Sequence, residues 1–345
     1  MSKKEQEHDT LGNRLKMFEA LSTSRRLMPN TPVYARIDGR AFHTFCRGLE
    51  KPFSNAFIEV MQETCKYLVK ETNACIGYVQ SDEISLGWES IVKAPFDGRV
   101  QKLESNLASL ASAKFVQYLV SITPLAREPF ESDFKTKEEY RKSLDEFVKM
   151  DVDWTRMRVR TDECPPSFDC RVFNVPTMTE LANCFLWREN DAIKNSISGM
   201  ALNFYSHNEL QNKNSDEKIH MMRMKGYCFY EDTDPAFMRG TFYHRENYLK
   251  ELTDEEVARI PEKQREQLIS IGKNTSEIEF SILAKTPLKP DRFYCMRSHI
   301  VPMNLPYRLT ETIDPVYVLF QGWGDDKVYC KITNPTFDLS KREGV

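Results

Sequence analysis

Apolar runs predict two neighbouring β-elements near the start of the chain. Residues 33–37 form a β-rich apolar run that ends at Asp38 and Gly39, so a strand would carry a carboxylate at its C-terminal tip. Further along, the apolar segments IGYV and ISLGW are joined through QSDE. This pattern predicts a hairpin with Asp82 and Glu83 at or beside its tip, and both elements are expected to pair in one antiparallel sheet.

Helical periodicity alternates with these strands. Ser54 is a suitable N-cap for a helix whose apolar positions between 57 and 69 repeat every 3.6 residues. A long helix is predicted over residues 99–119. A strand over residues 168–175 precedes a second long helix, which opens with the capping-box pattern of Thr177 and Glu180. This mixture predicts an α+β fold in which helices flank an antiparallel sheet.

Changes in periodicity divide the chain into four regions. Residues 1–125 form the predicted catalytic region, and residues 126–166 form a charged insertion whose middle, KTKEEYRKSLDEFVKM, predicts an exposed helix. Residues 167–247 complete the catalytic domain, and residues 248–345 form a smaller C-terminal extension. In that extension, a helix is expected to start at residues 252–256, and strands are expected at residues 316–320 and 328–330.

Composition narrows the possible partners. The chain has 345 residues, and its 48 Lys and Arg nearly balance 51 Asp and Glu, so a nucleic-acid surface would have to be a local patch. Nine cysteines without a CxxC pair favour reduced thiols and a cytoplasmic location. No apolar run approaches the roughly 20 residues that span a bilayer, so no membrane partner is expected.

Asp38, Asp82 and Glu83 are candidate catalytic residues, because all three lie at the ends of strands that are predicted to pair. Mg²⁺ prefers oxygen ligands, and two such ions can align the attacking and leaving oxygens of a phosphoryl or nucleotidyl transfer. Taken singly, Asp-Gly is more often a turn and Ser-Asp-Glu is more often a solvated hairpin tip. Only the joint arrangement favours a metal site.

Cationic side chains accompany these acids along the sequence. Arg36, Arg40 and Lys51 surround the first acid, while Arg99 and Lys102 open the long helix after the hairpin. There, cations and free backbone N–H groups could hold a triphosphate. For the last two residues, a solvated helix face is an equally good interpretation.

Six motifs occur in order along the chain: RIDGRAFHTF, KPF, GYVQSDEIS, FDCRVFNVP, LWRENDAIKNSI and SHNELQNKN. Together they resemble the tRNA-His guanylyltransferase family, and in particular its guanylyltransferase-like branch, over about residues 33–245. The resemblance implies a polymerase-like palm domain that adds nucleotides to the 5′ end of tRNA in the 3′-to-5′ direction. ATP would activate a 5′-monophosphate, and the 3′-hydroxyl of an incoming GTP would attack the activated end. The family also implies Mg²⁺ as two ions, tRNA as a partner, and a homotetramer built from dimers.

The same resemblance assigns roles to site residues. Asp38 and Asp82 would ligate both Mg²⁺ ions, the carbonyl oxygen of Gly39 would complete one site, and Glu83 would support them. The residues implied to bind the nucleotide are Arg36, Asp38, Gly39, Arg40, Ala41, Phe42, His43, Lys51, Ser81, Asp82, Arg99 and Lys102. A histidine after a strand is more often packed than reactive, so His43 is assigned by resemblance alone.

Two positions depart from the family pattern. Ile193 stands where members dedicated to histidine tRNA carry a histidine that helps to recognise the anticodon, which argues against strict histidine-tRNA specificity. Template-dependent repair of 5′-truncated tRNA, typical of the guanylyltransferase-like branch, is therefore favoured, and single-G addition stays open. Cys170 replaces a glycine, and it would be strained if that position required a positive φ.

Cationic residues in and after the second long helix are candidates for tRNA contact. The residues predicted to bind tRNA are Lys194, Asn195, Lys213, Lys218, Arg223, Lys225 and Arg239. The same prediction includes Arg245 and the aromatic residues Phe204, Tyr205, Tyr227 and Tyr243. Charged runs usually mark a solvated face, however, and such aromatics are often core. Two other functions stay open: another palm-domain activity, such as a nucleotidyl cyclase or forward polymerase, and tRNA binding without turnover.

Overall fold

An antiparallel six-stranded sheet forms the centre of the described protein. The computed structural model describes residues 10–90, 95–122, 128–260, 294–303, 305, 309 and 314–321. Within them the strand order is β4-β1-β3-β2-β5-β6, and every neighbouring pair is antiparallel. The strands are β1 (Val33–Gly39), β2 (Ile76–Gln80), β3 (Glu83–Trp88), β4 (Phe168–Asn174), β5 (Thr241–Glu251) and β6 (Tyr294–Pro302). The predicted α+β class and the predicted pairing of β1 with the β2–β3 hairpin are confirmed.

Helices cover both faces of this sheet. They are α1 (Thr10–Thr23), α2 (Phe42–Phe45), α3 (Asn55–Thr72), α4 (Val100–Ser121), α5 (Lys137–Glu163), α6 (Met178–Ala201), α7 (His207–Leu210), α8 (Ser215–Met224), α9 (Phe229–Asp232), α10 (Pro235–Arg239) and α11 (Asp254–Arg259). The N-caps predicted at Ser54 and Thr177 are present, since each side-chain oxygen accepts a backbone N–H three residues on. Among the described residues, none of the helices combines the length and apolarity needed to cross a membrane.

Alternation along β1 assigns its side chains to the two faces. Val33, Ala35 and Ile37 belong to a core cluster with residues of α3 and α4, and all three are fully buried. Tyr34 belongs instead to a second cluster with Phe185 of α6. Because side chains alternate along a strand, Asp38 shares the α6 face with Tyr34. The two faces therefore present different surroundings to the end of β1.

Helix α5 extends beyond the exposed helix expected in the charged insertion. It runs for 27 residues, and Trp154 and Met157 are buried in the core cluster of α3 and α4. Arg158 Nε donates to the carbonyl oxygen of Leu119 near the end of α4 at 3.0 Å. The predicted segment, residues 135–150, is helical from Lys137 onward and mostly exposed. The helix continues beyond it as a buried second half, because the apolar spacing continues past residue 150 and Pro165 is the first helix breaker. The domain boundaries at residues 125, 166 and 247 stay predictions.

The C-terminal region contributes to the same sheet. Strand β6 pairs with β5 over nine residues, and Thr253 caps α11 at the expected helix start. The strand predicted at residues 316–320 is wrong, since Tyr317–Gln321 forms a π-helical turn with Val318 and Leu319 buried. A short apolar run does not distinguish a strand from a buried helical segment. The strand predicted at residues 328–330 and the helix stop at Thr123 lie outside the described residues.

Candidate active site

The two acid-bearing strand tips lie side by side. The backbone N–H of Gly39 donates to the carbonyl oxygen of Asp82 at 3.0 Å, which fixes the end of β1 against the β2–β3 turn. In the β1–β3 register, Asp38 lies directly opposite Glu83. On the other side of β1, Asp38 lies opposite Asp169 of β4. Four carboxylates from three separate parts of the chain therefore lie at one end of the sheet.

Burial and mutual repulsion disfavour the ionised forms of Asp38 and Asp82. The pKa of Asp38 is raised chiefly by burial and then by the charge of Asp169, against the lowering effect of Arg36 and Arg188. Burial is also the main cause that raises the pKa of Asp82, and the charge of Asp38 adds to it. A divalent cation would favour both ionised carboxylates, and its preferred ligands are oxygens. The donor set of these two residues therefore fits a hard cation such as Mg²⁺.

Glu83 is paired with arginines at this end of the sheet. Its carboxylate is buried and accepts a hydrogen bond from Arg188 Nε at 2.5 Å, and Arg36 Nε lies 3.8 Å away. Across the described ranges, no three acidic, histidine or cysteine side chains are grouped so as to hold a metal ion. The resemblance assigns Glu83 a supporting role beside the metal ligands, and its ion pair with Arg188 of α6 is consistent with that role.

Tight backbone geometry surrounds the two remaining carboxylates. Ser81, the first residue of the hairpin turn, has φ 47°, and Ala41 at the start of α2 has φ 57°. Both values lie in the left-handed region, which costs a residue with a side chain roughly 1–2 kcal/mol. Gly39 has no room for a side chain, since a Cβ atom there would lie 2.5 Å from the ring of Phe42. Such strain often accompanies functional sites.

Most residues expected to bind the nucleotide lie near this end of the sheet. Arg40 and His43 are exposed next to Asp38, and His43 is close enough to Asp82 to favour its ionised form. Lys51 and Ser81 line a common cavity of about 260 Å³, which also contains the stacked rings of Phe53 and Phe237. The described structure thus places an exposed cation and an aromatic wall beside the turn that carries Asp82.

Phe42 was expected to bind the nucleotide, but its side chain lies in the core. Its side chain is 2% exposed and contacts the rings of Phe45, Phe57 and Phe168. An aromatic ring in the middle of a core cluster is not available to a ligand, so the Phe42 side chain packs α2 against the core. Only the backbone of Phe42 is left for nucleotide contact.

Arg99 and Lys102 lie at the other end of the sheet from Asp38. Arg99 forms a β-bridge with Arg26, which precedes β1, whereas Asp38 lies at the end of β1. Beside the Asp38 end of β1, α4 contributes Ser112, whose Oγ accepts the backbone N–H of Phe168 at 3.2 Å. Ten residues of helix separate Lys102 from Ser112, a length of about 15 Å. Within one chain, the expectation that these two cations share the nucleotide site with Asp38 is therefore wrong.

Arg239 was expected to bind tRNA, but the structure places it inside the fold. It is 8% exposed, and its Nε lies 3.0 Å from Glu189 Oε1 of α6. Arg245 is likewise engaged, since it donates to the carbonyl oxygen of Lys70 at the end of α3. Both arginines are engaged within the fold, Arg239 as a buried residue and Arg245 as a half-buried one. Helical periodicity alone did not reveal this, because the acidic partner of Arg239 lies 50 residues earlier in the chain.

The other members of that set surround a third core cluster that includes Ile193 and Met222. The exposed members are Lys194, Asn195, Lys213, Arg223 and Lys225. Lys218 is half-buried and donates to Ser198 Oγ at 3.0 Å. Phe204, Tyr205 and Tyr227 pack against the cluster, and Tyr243 is buried in the first core, so these aromatics serve mainly as core residues.

Comparison with known proteins identifies the family. A family model described as tRNA-His guanylyltransferase matches residues 12–176. A solved bacterial tRNA-His guanylyltransferase-like protein in complex with ATP is 30% identical, with a TM-score of 0.52, and the match covers 68% of this chain and 88% of that one. The chain belongs to the tRNA-His guanylyltransferase family. Members of this family are nucleotidyltransferases.

Two curated relatives show how far the likeness extends. The tRNA-His guanylyltransferase of Debaryomyces hansenii is 26% identical over 258 residues, which covers 70% of this chain and 84% of the relative. An uncharacterised protein of Acanthamoeba polyphaga mimivirus is 30% identical over 126 residues, which covers 34% of this chain and 43% of that protein. The matched segment thus spans less than half of the viral relative.

Both departures from the family pattern have a structural account. Ile193 is 6% exposed and packs in the third core cluster, so its side chain is not presented to a ligand. Cys170 lies within β4 opposite Ile37 and does not have a positive φ. A side chain is therefore tolerated at that position of this guanylyltransferase-family chain, and the strain considered for Cys170 is absent.

Three residues of this site were not assigned from the sequence: Asp169, Trp187 and Arg188. Asp169 is brought to the site by the register of β4, which no local pattern predicts. Arg188 did leave a signal, because it interrupts the otherwise apolar stripe of α6 at Leu181, Phe185 and Ala192. A charged residue on a buried helix face requires a partner, and Glu83 provides it.

Proposed function

We propose that this chain adds nucleotides to the 5′ end of tRNA in the 3′-to-5′ direction. The observation that carries the proposal is the juxtaposition of Asp38 and Asp82 at the strand tips of a guanylyltransferase-family chain. The bacterial relative was solved with ATP, which supports a nucleoside triphosphate as substrate. ATP would activate a 5′-monophosphate end, and GTP or another nucleoside triphosphate would be added.

Asp38, Asp82 and the carbonyl oxygen of Gly39 would hold Mg²⁺ as two ions. When bound, the ions would neutralise phosphate charge and align the attacking and leaving oxygens. The raised pKa values of the two carboxyl groups support this assignment, because they describe acids whose charges lack full local compensation. Glu83 would act as a positioning residue, since its ion pair with Arg188 fixes β3 beside Asp38.

The transfer step forms one P–O bond and breaks another. The 3′-hydroxyl oxygen of the incoming nucleotide would attack the phosphorus at the RNA 5′ end, and the activating adenylate or pyrophosphate would leave. Lys51, exposed at the cavity that also contains Ser81, is placed to neutralise the triphosphate of the incoming nucleotide. Arg40 and His43 would contact the same nucleotide near Asp38.

Template-dependent repair is the favoured form of this activity. Ile193 is a core residue at the position where histidine-specific members carry their anticodon-reading side chain, and its burial supports broader tRNA choice. Contact with tRNA is proposed through the exposed residues Lys194, Asn195, Lys213, Arg223 and Lys225. A homotetramer and a cytoplasmic location complete the proposal, and the free thiols of Cys46, Cys65 and Cys75 support the location.

A single incubation tests the activity. The protein is mixed with Mg²⁺, ATP, GTP and a tRNA that lacks its first nucleotide, and the 5′ end is followed on a denaturing gel. Extension at the 5′ end supports the proposal, whereas a cyclic nucleotide product or binding without turnover overturns it. Asp82→Asn serves as the inactive control, because it keeps the size of the side chain and removes the charge.

A further inference from the structure

An exposed tryptophan stands on the α6 face beside the proposed catalytic carboxylate. Trp187 is 52% exposed, whereas Trp154 is buried and Trp88 is half-buried. The Cζ atom of Arg36 lies 5.6 Å from the centroid of the Trp187 ring, and Arg36 is two residues before Asp38 on the same side of β1. The indole is therefore held next to the reacting end of the sheet.

Guanidinium groups surround this indole. Arg188 lies 4.6 Å from the Trp187 centroid while its Nε holds Glu83, so the ring rests on an arginine that is itself fixed. Arg171 lies opposite Arg36 in the β1–β4 register, is exposed, and lies 3.8 Å from Asp169 in a solvent-exposed ion pair. We call Trp187, Arg36 and Arg171 the tryptophan patch. It combines an aromatic face with cations, which is the chemistry that binds a nucleobase and its phosphates.

The residues of the tryptophan patch do not line the nucleotide cavity. Lys51 and Ser81 line this cavity together with Ala192 and Asn195 of α6. Trp187 lies earlier on the same helix, beside Arg36 of β1. An in-line displacement needs its attacking and leaving groups on opposite sides of the phosphorus. If the incoming nucleotide occupies the cavity, the RNA end has to be held outside it, and the tryptophan patch is an aromatic and cationic surface beside Asp38.

We infer that Trp187 stacks on the terminal nucleobase of the RNA substrate while Arg36 and Arg171 hold the phosphates of that end. The inference deepens the proposed function and rests on it, because it assigns the RNA 5′ end to a part of the site outside the nucleotide cavity. The shared chemistry is a nucleobase with attached phosphate, and the free nucleoside triphosphate is the alternative source. Trp187 is thus a substrate-binding residue separate from the proposed metal ligands.

Binding without catalysis tests the patch. An RNA hairpin that carries an acceptor-stem end without its first 5′ nucleotide is labelled with fluorescein at its 3′ end. Anisotropy is measured without Mg²⁺ or nucleotide, and GTP binding alone is measured by calorimetry. Trp187→Ala should weaken RNA binding about tenfold, since stacking on an aromatic ring contributes about that factor per base. Trp187→Phe should restore most of the loss, and GTP affinity should not change.

Controls separate stacking from folding and from catalysis. Phe130→Ala removes another exposed aromatic, 67% exposed just before α5, and should leave RNA affinity unchanged. Arg171→Ala should weaken binding of the RNA hairpin and reduce the salt dependence of that binding. The inference is overturned if Trp187→Ala binds RNA like the wild type, if Phe130→Ala is equally weak, or if only GTP binding is lost. Failure of the proposed function would appear separately, as a wild-type protein that does not extend tRNA.

Discussion

Arg188 on α6 donates to Glu83 on β3 at 2.5 Å, although 105 residues separate them in the chain. Both side chains are less than a tenth exposed, so their charges are removed from water together. A buried ion pair of this kind contributes little net stability over an apolar pair, but breaking it leaves one buried charge without a partner. The ion pair therefore serves to define the packing of α6, because it fixes the helix that carries Trp187 against the strand beside Asp38.

Arg188→Met should lower the free energy of unfolding by about 3–5 kcal/mol, because Glu83 would keep a buried charge. The pKa of Glu83, already raised by burial, would rise further without the arginine. The double variant Glu83→Gln with Arg188→Met should recover a large part of the loss. Urea unfolding of the wild type, both single variants and the double variant measures this. Strictly additive losses would contradict an ion pair between them.

Asp82→Asn should raise the stability of the metal-free protein at neutral pH and abolish 5′ extension. The folded state disfavours the ionised carboxylate, since the pKa of Asp82 is raised by burial and by Asp38. For an acid with a raised pKa, the destabilisation is absent below the unfolded pKa of about 4 and develops as pH rises through the folded pKa. Melting temperatures between pH 4 and pH 8 should therefore converge at the acidic end and favour the variant by a few degrees at pH 7.

Mg²⁺ should reverse this difference. A ligand that binds only the folded state stabilises it, so the melting temperature of the wild type should rise with Mg²⁺ concentration. Asp82→Asn should respond much less, and Asp145→Asn on the exposed first half of α5 should respond like the wild type. An equal Mg²⁺ response of all three proteins would remove Asp82 from the metal assignment.

Sequence patterns located the strands of this site better than its side-chain partners. The apolar runs, together with the turn sequences Asp-Gly and Ser-Asp-Glu, predicted β1 and the β2–β3 hairpin, because local periodicity and turn residues specify those elements. The engagement of Glu83 by Arg188, and the distance of Lys102 from Asp38, depend on how helices pack across the sheet. No local pattern specifies such packing, so basic residues near an acid in sequence were not all near it in space.

Arg239→Ala should destabilise the fold and leave the salt dependence of tRNA binding unchanged. Its partner Glu189 is fully buried and also accepts the backbone N–H of Leu309 at 2.7 Å, so the loss should be about 3–5 kcal/mol. Lys194→Ala should do the opposite, because Lys194 is exposed on α6: stability should be kept and the salt slope of tRNA affinity should fall by about one. Urea unfolding and a salt titration of tRNA binding test both variants. A reduced salt slope for a correctly folded Arg239→Ala protein would return that residue to the tRNA surface.

Gly240→Ala should be strongly destabilising, because an alanine side chain suits neither the backbone conformation nor the space at this position. Gly240 joins α10 to β5 with φ 77° and ψ −174°, a region that is essentially restricted to glycine. A Cβ atom there would lie 2.6 Å from the carbonyl oxygen of Val79, a backbone atom of the neighbouring strand that cannot easily move. The matched control is Gly226→Ala, which has φ 81° but open space around a Cβ, so it should cost only about 1–2 kcal/mol. Gly199→Ala, within α6 and also in open space, should stabilise by up to about 1 kcal/mol through helix propensity. Urea unfolding should rank the stabilities Gly199→Ala, wild type, Gly226→Ala and Gly240→Ala, and equal losses at 226 and 240 would show that the contact with Val79 is not limiting.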